Sequence, residues 1–148
     1  MRLQITTDYA IRIILYMAQR EGQVLAAEAV ARELGITYSY FNKVAHKIRS
    51  AGLLKSVQGP GGGYCIGKNA ADIALYDIVT VMEGEICINR CLEEDGFCSR
   101  SATQICPIHK TFEALQNQII DTLSNVRISD LCDEKPSGSI CEAKVSTV

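Results

Sequence analysis

The segment Thr37-Tyr-Ser-Tyr-Phe-Asn-Lys-Val-Ala-His-Lys-Ile-Arg-Ser-Ala-Gly52 decides the fold. Thr37 or Ser39 can cap a helix at its start, and Gly52 can end that helix. One side of the predicted helix is an apolar stripe of Phe41, Val44, Ala45 and Ile48. The opposite side is polar and basic, with Ser39, Tyr40, Asn42, Lys43, His46, Lys47 and Arg49. The segment therefore predicts an amphipathic helix whose outer face is available to a charged partner.

A shorter helix is predicted directly before this segment, from Ala26 to Leu34, and Gly35 stops it. Two helices joined by a tight turn at Gly35-Ile36 form a helix-turn-helix, in which the first turns of the second helix meet base edges. The alternative is an ordinary helical hairpin, because many small helical domains carry a basic helix.

Two short strands are predicted after the basic helix, at residues 53–57 and 64–66. The connection between them is Gln58-Gly-Pro-Gly-Gly-Gly63, whose glycines permit a tight turn and a close approach to another backbone. A β-hairpin that follows a recognition helix is a wing. It would place Gln58 and the exposed amides around Gly59 and Gly61 near phosphate or the minor groove, so the hairpin strengthens the DNA-binding interpretation.

The remaining helices are predicted from apolar periodicity. The first is capped by Thr6 or Thr7 and continues to about Arg20, and the fourth covers residues 73–83. Residues 103–125 predict one long helix. Its apolar stripe is too long for a domain of this size to cover, and its main members are Phe112, Leu115, Ile119 and Leu123. We expect the same helix of a second subunit to cover this stripe, which makes the protein a homodimer.

Composition and charge fit a DNA-binding protein with a separate sensing part. The 148 residues are 47% hydrophobic and 22% charged, with a net charge of −2. Residues 1–68 carry nine basic against four acidic side chains, a balance of +5, whereas residues 69–148 carry six against thirteen, a balance of −7. The apolar run at residues 13–18 is too short to span a membrane, so we expect a cytoplasmic protein without a membrane partner.

Four potential metal ligands lie within 19 residues. Cys91, Cys98, Cys106 and His109 are set among polar residues without an apolar period, so a hydrophobic core cannot hold this segment. Three thiolates and an imidazole suit Zn²⁺ or an iron–sulfur cluster. A structural zinc site, a redox disulfide with a spare thiol, and unconnected cysteines remain alternatives. With seven cysteines and an expected reducing compartment, a metal site is favoured over a disulfide framework.

An enzyme is not expected from these residues. Residues 62–69 nearly match a nucleotide-binding loop, but Asn69 stands where a magnesium-binding Ser or Thr is needed. Of the two histidines, His46 belongs to the outer face of the basic helix and His109 to the potential metal ligands, and no paired acid and base remain. The competing function class is an enzyme or scaffold in which the cysteine segment is only a structural zinc site.

Taken together, these features resemble the Rrf-type family of bacterial winged-helix regulators, which includes the iron–sulfur regulator IscR and the nitric-oxide sensor NsrR, with IscR the nearer. The motifs that carry the resemblance are Met1-Arg-Leu, Thr7-Asp-Tyr-Ala10, Ser39-Tyr40, Ala51-Gly-Leu53, Gly59-Pro-Gly-Gly-Gly-Tyr64 and the three-cysteine loop. The resemblance covers the chain from Met1 to about Leu131. It implies a mainly helical winged helix-turn-helix with a small β-hairpin, joined to a long dimerisation helix.

The resemblance also implies a transcription regulator that binds double-stranded operator DNA and senses iron–sulfur status, oxidants or nitric oxide. Cys91, Cys98 and Cys106 fall where the family has its cysteine ligands, although the loop is longer here. His109 matches the histidine of the cluster regulator and favours [2Fe-2S]. Asp8 matches the aspartate of the nitric-oxide sensors and would go with [4Fe-4S]. Cys87 is a further candidate for the fourth ligand.

The expected organisation follows from these assignments. Residues 1–84 form the DNA-binding domain, residues 85–109 the cluster-binding loop, residues 103–131 the dimerisation helix, and residues 132–148 a disordered tail that includes Cys132 and Cys141. Bases are expected to contact Ser39, Tyr40 and Asn42, and phosphates to contact Lys43, Lys47 and Arg49.

Overall fold

The helix-turn-helix lies at the centre of the amino-terminal half in the computed structural model, which describes residues 2–133. It consists of α2 (Ala27–Glu33) and α3 (Tyr38–Ser50), and α1 (Ile5–Ala18) packs against α3. The predicted apolar stripe of α3, Phe41, Val44, Ala45 and Ile48, is buried, together with Ala10, Ile13, Ile14 and Met17 of α1 and Val30 of α2. The predicted mainly helical fold with a small hairpin is confirmed.

The turn between α2 and α3 is closed by a glycine in the left-handed region. Gly35 has φ of +65°, and the next amide, that of Ile36, donates to the Ala31 carbonyl at 2.9 Å. This is the usual way for a chain to leave a helix at a glycine. Ile36 is buried, and Thr37 then caps α3 by accepting from the Tyr40 amide at 3.4 Å. The turn therefore sets the crossing of the two helices.

The wing is a two-stranded antiparallel hairpin of β1 (Leu54–Val57) and β2 (Gly63–Ile66). It is tied back to the helical core, because Leu25 and Tyr64 exchange backbone hydrogen bonds of 2.8 and 2.9 Å. This approach is so close that a Cβ at Gly63 would lie 2.1 Å from the Leu25 carbonyl oxygen. Only glycine fits there, so Gly63 fixes the wing against the domain.

Helix α4 (Leu75–Glu83) packs its carboxyl end against the start of α1. The Glu83 carboxylate accepts hydrogen bonds from the Gln4 amide at 2.8 Å and from the Thr7 hydroxyl. The predicted capping role of Thr6 or Thr7 is therefore wrong, because Thr7 is fully buried inside α1 and its hydroxyl serves this contact. Helix α4 also begins two residues later than predicted.

The long helix begins at Pro107 instead of Thr103. Helix α5 spans Pro107–Asn125, and residues 102–106 form turns in which the Ile105 amide donates to the Ala102 carbonyl. Proline disfavours a helical backbone at the preceding residue, and Cys106 accordingly has ψ of 117°. Proline is well suited to the first helical position, so the Cys106-Pro107 pair starts the helix. Within residues 2–133 no helix combines the length and the apolar character needed to cross a membrane.

The chain then returns to the amino-terminal domain. After α5, the Leu75 amide donates to Val126 and the Ile128 amide donates to Ile73, at 2.9 and 3.0 Å. Ile128 is fully buried and begins α6 (Ile128–Asp133), which packs on α1. Residues 132 and 133 were predicted to belong to the tail and lie in α6 instead. The rest of the predicted tail, with Cys141, lies outside the described residues.

Replacing Thr7 with Val should lower the free energy of unfolding by about 1–3 kcal/mol, because a buried hydroxyl donor to a charged acceptor is lost. Hydrogen bonding by Thr7 and by the Gln4 amide lowers the pKa of Glu83 below 4.5, so the ionised carboxylate stabilises the folded state. The difference in free energy of unfolding between wild type and Thr7→Val should be largest above pH 4.5. It should disappear as the pH falls through the lowered pKa of Glu83. Urea denaturation at several pH values measures it.

The matched control is Thr6→Val, since within residues 2–133 the Thr6 hydroxyl makes no side-chain hydrogen bond. An equal loss of stability in both variants at every pH would contradict the role assigned to Thr7.

Candidate nucleic-acid interface and metal centre

The outer face of α3 presents most of the predicted base-contacting side chains to solvent. Ser39 and Tyr40 are exposed in the first turn of α3, and Asn42 is half-buried one turn on. The ring of Tyr40 meets that of Tyr9 on α1 edge to face, with centroids 6.0 Å apart. Such a contact restricts the ring without burying its hydroxyl. Tyr40 is therefore held in place where α1 and α3 meet.

The predicted phosphate-contacting residues of α3 differ in their surroundings. Lys43 is exposed, and its ammonium makes no hydrogen bond within the part of the chain that the structure describes. In contrast, the Lys47 ammonium donates to the Met82 carbonyl at 2.8 Å, and the Arg49 guanidinium donates to the Ser56 hydroxyl of β1 at 3.3 Å. Lys43 is thus the one of these three cations whose charged group has no such partner among residues 2–133.

The wing tip lies where the sequence predicts it and is open to solvent. Gln58, Gly59 and Gly61 are all exposed. Gly59 and Gly61 have φ of +98° and +76°, and the Gly62 amide closes the turn on the Gly59 carbonyl at 2.9 Å. Side chains at Gly59 and Gly61 would strain this turn, so glycine keeps the tip narrow. The recognition helix is fixed relative to the wing by an edge-to-face contact of Phe41 with Tyr64 at 5.6 Å.

The cysteine loop leaves α4 at Gly84 and is attached to α5 midway. A short 3₁₀ turn, Arg90–Leu92, carries the first predicted ligand and is capped by Asn89. Just before it, the Ile88 amide donates to the Gln116 side chain at 3.0 Å. This bond holds the turn against the middle of α5, so Cys91 lies beside the first turns of that helix.

Cys91 and His109 are brought together. The Cys91 sulfur lies 3.3 Å from Nδ1 of His109 and accepts a hydrogen bond from the side-chain Nδ2 of Asn89 at 3.5 Å. His109 occupies the first turn of α5, directly after Cys106 and Pro107. Sulfur and imidazole nitrogen are both donor types that zinc and iron accept.

The other two predicted ligands do not complete the site in this structure. Among residues 2–133, no three of the Cys, His, Asp and Glu side chains come close enough to hold one metal ion. Cys98 lies half-buried beside the turn at residues 101–105, and Cys106 lies at the start of α5. Hydrogen bonds from the backbone amides of Ala102 and Arg100 lower the pKa of the Cys98 thiol and favour its thiolate.

A charged cluster that sequence reasoning missed shapes the loop between Cys91 and Cys98. The Arg90 guanidinium makes a forked ion pair with Asp95, contacts Glu93 at 2.9 Å and lies 5.3 Å from the Phe97 ring centroid. Hydrogen bonding from Arg90, with help from the Phe97 amide, lowers the pKa of Asp95 to about 2. The sequence does contain an Arg and an Asp five residues apart, directly before Gly96, but such a pair has no periodicity to reveal it.

The alternative fourth ligands have different contacts in the structure. Asp8 pairs with Arg12 at 2.6 Å, one turn further along α1. Cys87 is exposed, and its thiol lies 3.6 Å from the Leu92 carbonyl. Of the three candidates, only His109 lies against a predicted cysteine ligand.

The family is shown by sequence. The model of the Rrf2 family, described as an iron-dependent transcriptional regulator, matches residues 3–134. The HTH-type transcriptional regulator IscR of Pectobacterium atrosepticum is 34% identical over 137 residues, covering 91% of this chain and 81% of the relative. The IscR of Pectobacterium carotovorum is 33% identical over the same shares. Family and relatives are transcriptional regulators rather than enzymes.

The solved structures agree on the fold. CymR of B. subtilis, named a global cysteine regulator, superposes with a TM-score of 0.75 at 21% identity, covering 91% of this chain and 98% of that one. IscR of T. potens superposes with a TM-score of 0.68 at 24% identity, covering 88% and 85%. The winged-helix fold, the family match and the IscR relatives confirm the resemblance, and the chain belongs to the Rrf2 family of DNA-binding transcriptional regulators.

Proposed function

We propose that this Rrf2-family regulator is a homodimer in which an iron–sulfur cluster, bound by the loop after α4, controls the affinity for operator DNA. The observation that carries the proposal is the 3.3 Å approach of Cys91 to His109. Cys91 lies on the loop that connects the DNA-binding domain to α5, and His109 lies in the first turn of α5, so ligand binding there would act on both parts.

The donor set suits an iron–sulfur cluster. Cys91, Cys98 and Cys106 would supply thiolates and His109 an imidazole, and thiolate ligands select such clusters or zinc. The amides that lower the pKa of the Cys98 thiol favour the thiolate form that binds iron. Cys98 and Cys106 would move toward the Cys91–His109 pair on binding, and metal binding commonly orders such a loop.

His109 is proposed as the fourth ligand, which favours a [2Fe-2S] cluster. An imidazole in place of a thiolate raises the reduction potential of such a centre, and when bound the cluster supplies the redox-sensitive or nitric-oxide-sensitive group. Asp8 would instead go with a [4Fe-4S] cluster and nitric-oxide sensing, but its carboxylate is paired with Arg12. The direct contact of His109 with Cys91 therefore supports His109.

Changing His109 to Ala should remove or shift the visible iron–sulfur bands of protein purified without oxygen, because one iron loses its ligand. Asp8→Ala should leave the bands as they are, and so should His46→Ala, the matched control on the exposed face of α3. Absorption spectra with iron and sulfide analysis measure the effect. Loss of the bands in the Asp8 variant alone would refute His109, and a colourless wild-type protein that holds zinc would refute the cluster.

The dimer is proposed through α5. Within the described part of the chain, none of the 19 side chains of α5 is buried, although its apolar stripe runs the length of the helix. Ile108 is 60% exposed and Leu115 46% exposed, while Phe112, Ile119 and Leu123 are half-buried. An apolar stripe of this length is typical of a helix that packs on a symmetric copy of itself. The start of α5 then brings the metal ligands next to the proposed interface.

Replacing Ile119 with Glu should make the protein monomeric and reduce DNA affinity sharply, because a carboxylate in the interface costs several kcal/mol. Asn117→Glu is the matched control, since Asn117 is exposed on the opposite side of α5. Sedimentation at micromolar concentration measures the assembly. A monomeric wild-type protein, or an Ile119 variant that remains dimeric, would contradict the interface.

The proposed DNA contacts combine α3 with the wing. Ser39, Tyr40 and Asn42 would contact bases, Lys43 and Arg49 phosphates, and the Gln58–Gly61 tip the backbone beside the groove. A dimer presents two such surfaces, so the operator should be two-fold symmetric with one half-site for each subunit. Lys47 is left out of this set, because its ammonium already has a partner within the protein.

Changing Lys43 to Ala should weaken binding to all sequences alike and reduce the salt dependence of affinity by about one unit, because one phosphate contact is lost. Asn42→Ala should instead reduce the preference for the operator over other duplexes, by about 1–3 kcal/mol at one base position. Titration of labelled operator at several salt concentrations measures both. If neither form of the protein binds any duplex more tightly than competitor DNA, the DNA-binding surface is wrongly assigned.

A further inference from the structure

A side-chain hydrogen bond joins the recognition helix to the base of the cysteine loop. The Lys47 ammonium, on the third turn of α3, donates to the Met82 carbonyl at 2.8 Å. Met82 is the second-last residue of α4, and Gly84, with φ of +87°, turns the chain out of the helix into the loop. The bond therefore spans from the DNA-reading helix to a point two residues before the loop begins.

The chemistry of a helix end explains why a lysine is suited to this place. The last four carbonyls of a helix lack partners within it, and the carboxyl end carries partial negative charge. Lys47 supplies a donor to one such carbonyl and a full positive charge to the helix end. It also adds to the lowering of the Glu83 pKa, after the Thr7 and Gln4 hydrogen bonds, so its charge is felt by the neighbouring carboxylate.

The carboxyl end of α4 is thus where three helices of the domain meet. Glu83 attaches it to α1 through Gln4 and Thr7, and Lys47 attaches it to α3. Gly84 stays part of this junction, since its amide donates to the Thr80 carbonyl at 2.9 Å. Any change in the loop that pulls on Gly84 acts first on this helix end.

We infer that Lys47 is a positioning residue that couples the cysteine loop to the recognition helix, with its ammonium kept on the Met82 carbonyl in place of a DNA phosphate. Gathering the loop cysteines around a cluster would fix the chain beyond Gly84, and Lys47 would transmit that constraint to α3. The inference rests on the proposed function, because it assigns the path by which the cluster acts. Coupling through one charge-assisted hydrogen bond corresponds to a difference on the order of tenfold in operator affinity between cluster-loaded and metal-free protein.

Lys43 provides the matched comparison. It lies one helical turn before Lys47 on α3, is exposed, and has no hydrogen-bond partner within residues 2–133. A lysine that neutralises a phosphate contributes to the salt dependence of binding, whereas a lysine held on a carbonyl of its own protein does not. Comparing variants of the two lysines therefore distinguishes a phosphate contact from a positioning contact.

The experiment compares Lys47→Met, which keeps the apolar stem and removes the donor, with Lys43→Met and with the conservative Lys47→Arg. Operator affinity is measured for cluster-loaded and metal-free protein over a range of salt concentrations. The ratio of interest is the operator affinity of cluster-loaded protein divided by that of metal-free protein. We expect Lys47→Met to move this ratio toward one by a factor on the order of ten, and to leave the salt dependence of operator affinity unchanged. Lys43→Met should lower the salt dependence by about one unit and keep the ratio. Lys47→Arg, which can still donate to Met82, should retain most of the ratio.

A second measurement does not depend on the cluster. In metal-free protein, hydrogen exchange of the Gly84 amide should become faster, by on the order of tenfold, in Lys47→Met and remain unchanged in Lys43→Met, because the last turn of α4 loses its partner. Unchanged exchange, or a lower salt dependence with an unchanged ratio, would overturn the inference. A wild-type protein whose affinity ignores the cluster would instead refute the proposed function, while the exchange result would still decide whether Lys47 holds α4.

Discussion

The burial of one side of α3 is the constraint on which the rest of the structure depends. Phe41, Val44, Ala45 and Ile48 are all fully inaccessible, enclosed by α1, α2 and the first strand of the wing. Burying these side chains contributes on the order of 1.5–3 kcal/mol for each large residue, which no surface contact of α3 approaches. Because this apolar face stays inside the domain, the opposite polar face, with Tyr40 and Lys43, points to solvent. The surface proposed to read DNA is thus fixed by packing on its opposite side.

Helix α5 differs from α3, because none of its side chains is buried within the described part of the chain. One side of α5 packs on α4, and Gln116 near its middle holds the Ile88 amide of the cysteine loop. Beyond α5, the backbone bonds of Val126 and Ile128 join the chain to residues 73–75. The apolar side chains of α5 consequently remain half-buried or exposed within a single chain. A helix attached in this manner presents a surface that a second copy can cover while keeping its orientation to the DNA-binding domain.

The loop between these two parts is stabilised by local polar contacts. Arg90 with Asp95, the Asn89 cap and the amides around Cys98 organise three successive turns, and every one of these groups is near the surface. Exposed ion pairs contribute little free energy, typically below about 1 kcal/mol, since water and salt screen them. A metal centre supplies far more, so binding of a cluster would dominate the conformation of this segment. The same weakness agrees with the proposed sensing role of the loop.

The sequence by itself determined the helices with strong apolar periodicity, the glycine turn at Gly35 and the wing. These features depend on local rules, because a 3.6-residue stripe and a left-handed glycine report their role within a few residues. The metal ligands remain a prediction from clustered thiols. The predicted start of α5 at Thr103 is wrong even though the deciding signal is local. The helical stripe extends back through Ile105, whereas the helix itself starts at Pro107.

Only the tertiary structure decided which long-range partners meet. Thr7 donates to Glu83 across 76 residues and Lys47 to Met82 across 35, and no periodicity connects such positions. Ile128 belongs to the amino-terminal core although it follows α5, because the backbone of residues 73–75 pairs with the returning chain. The contact of His109 with Cys91 likewise depends on Gln116 holding the loop against α5. Such contacts arise from the close packing of whole helices against one another, which is a property of the entire chain that no single stretch of sequence carries.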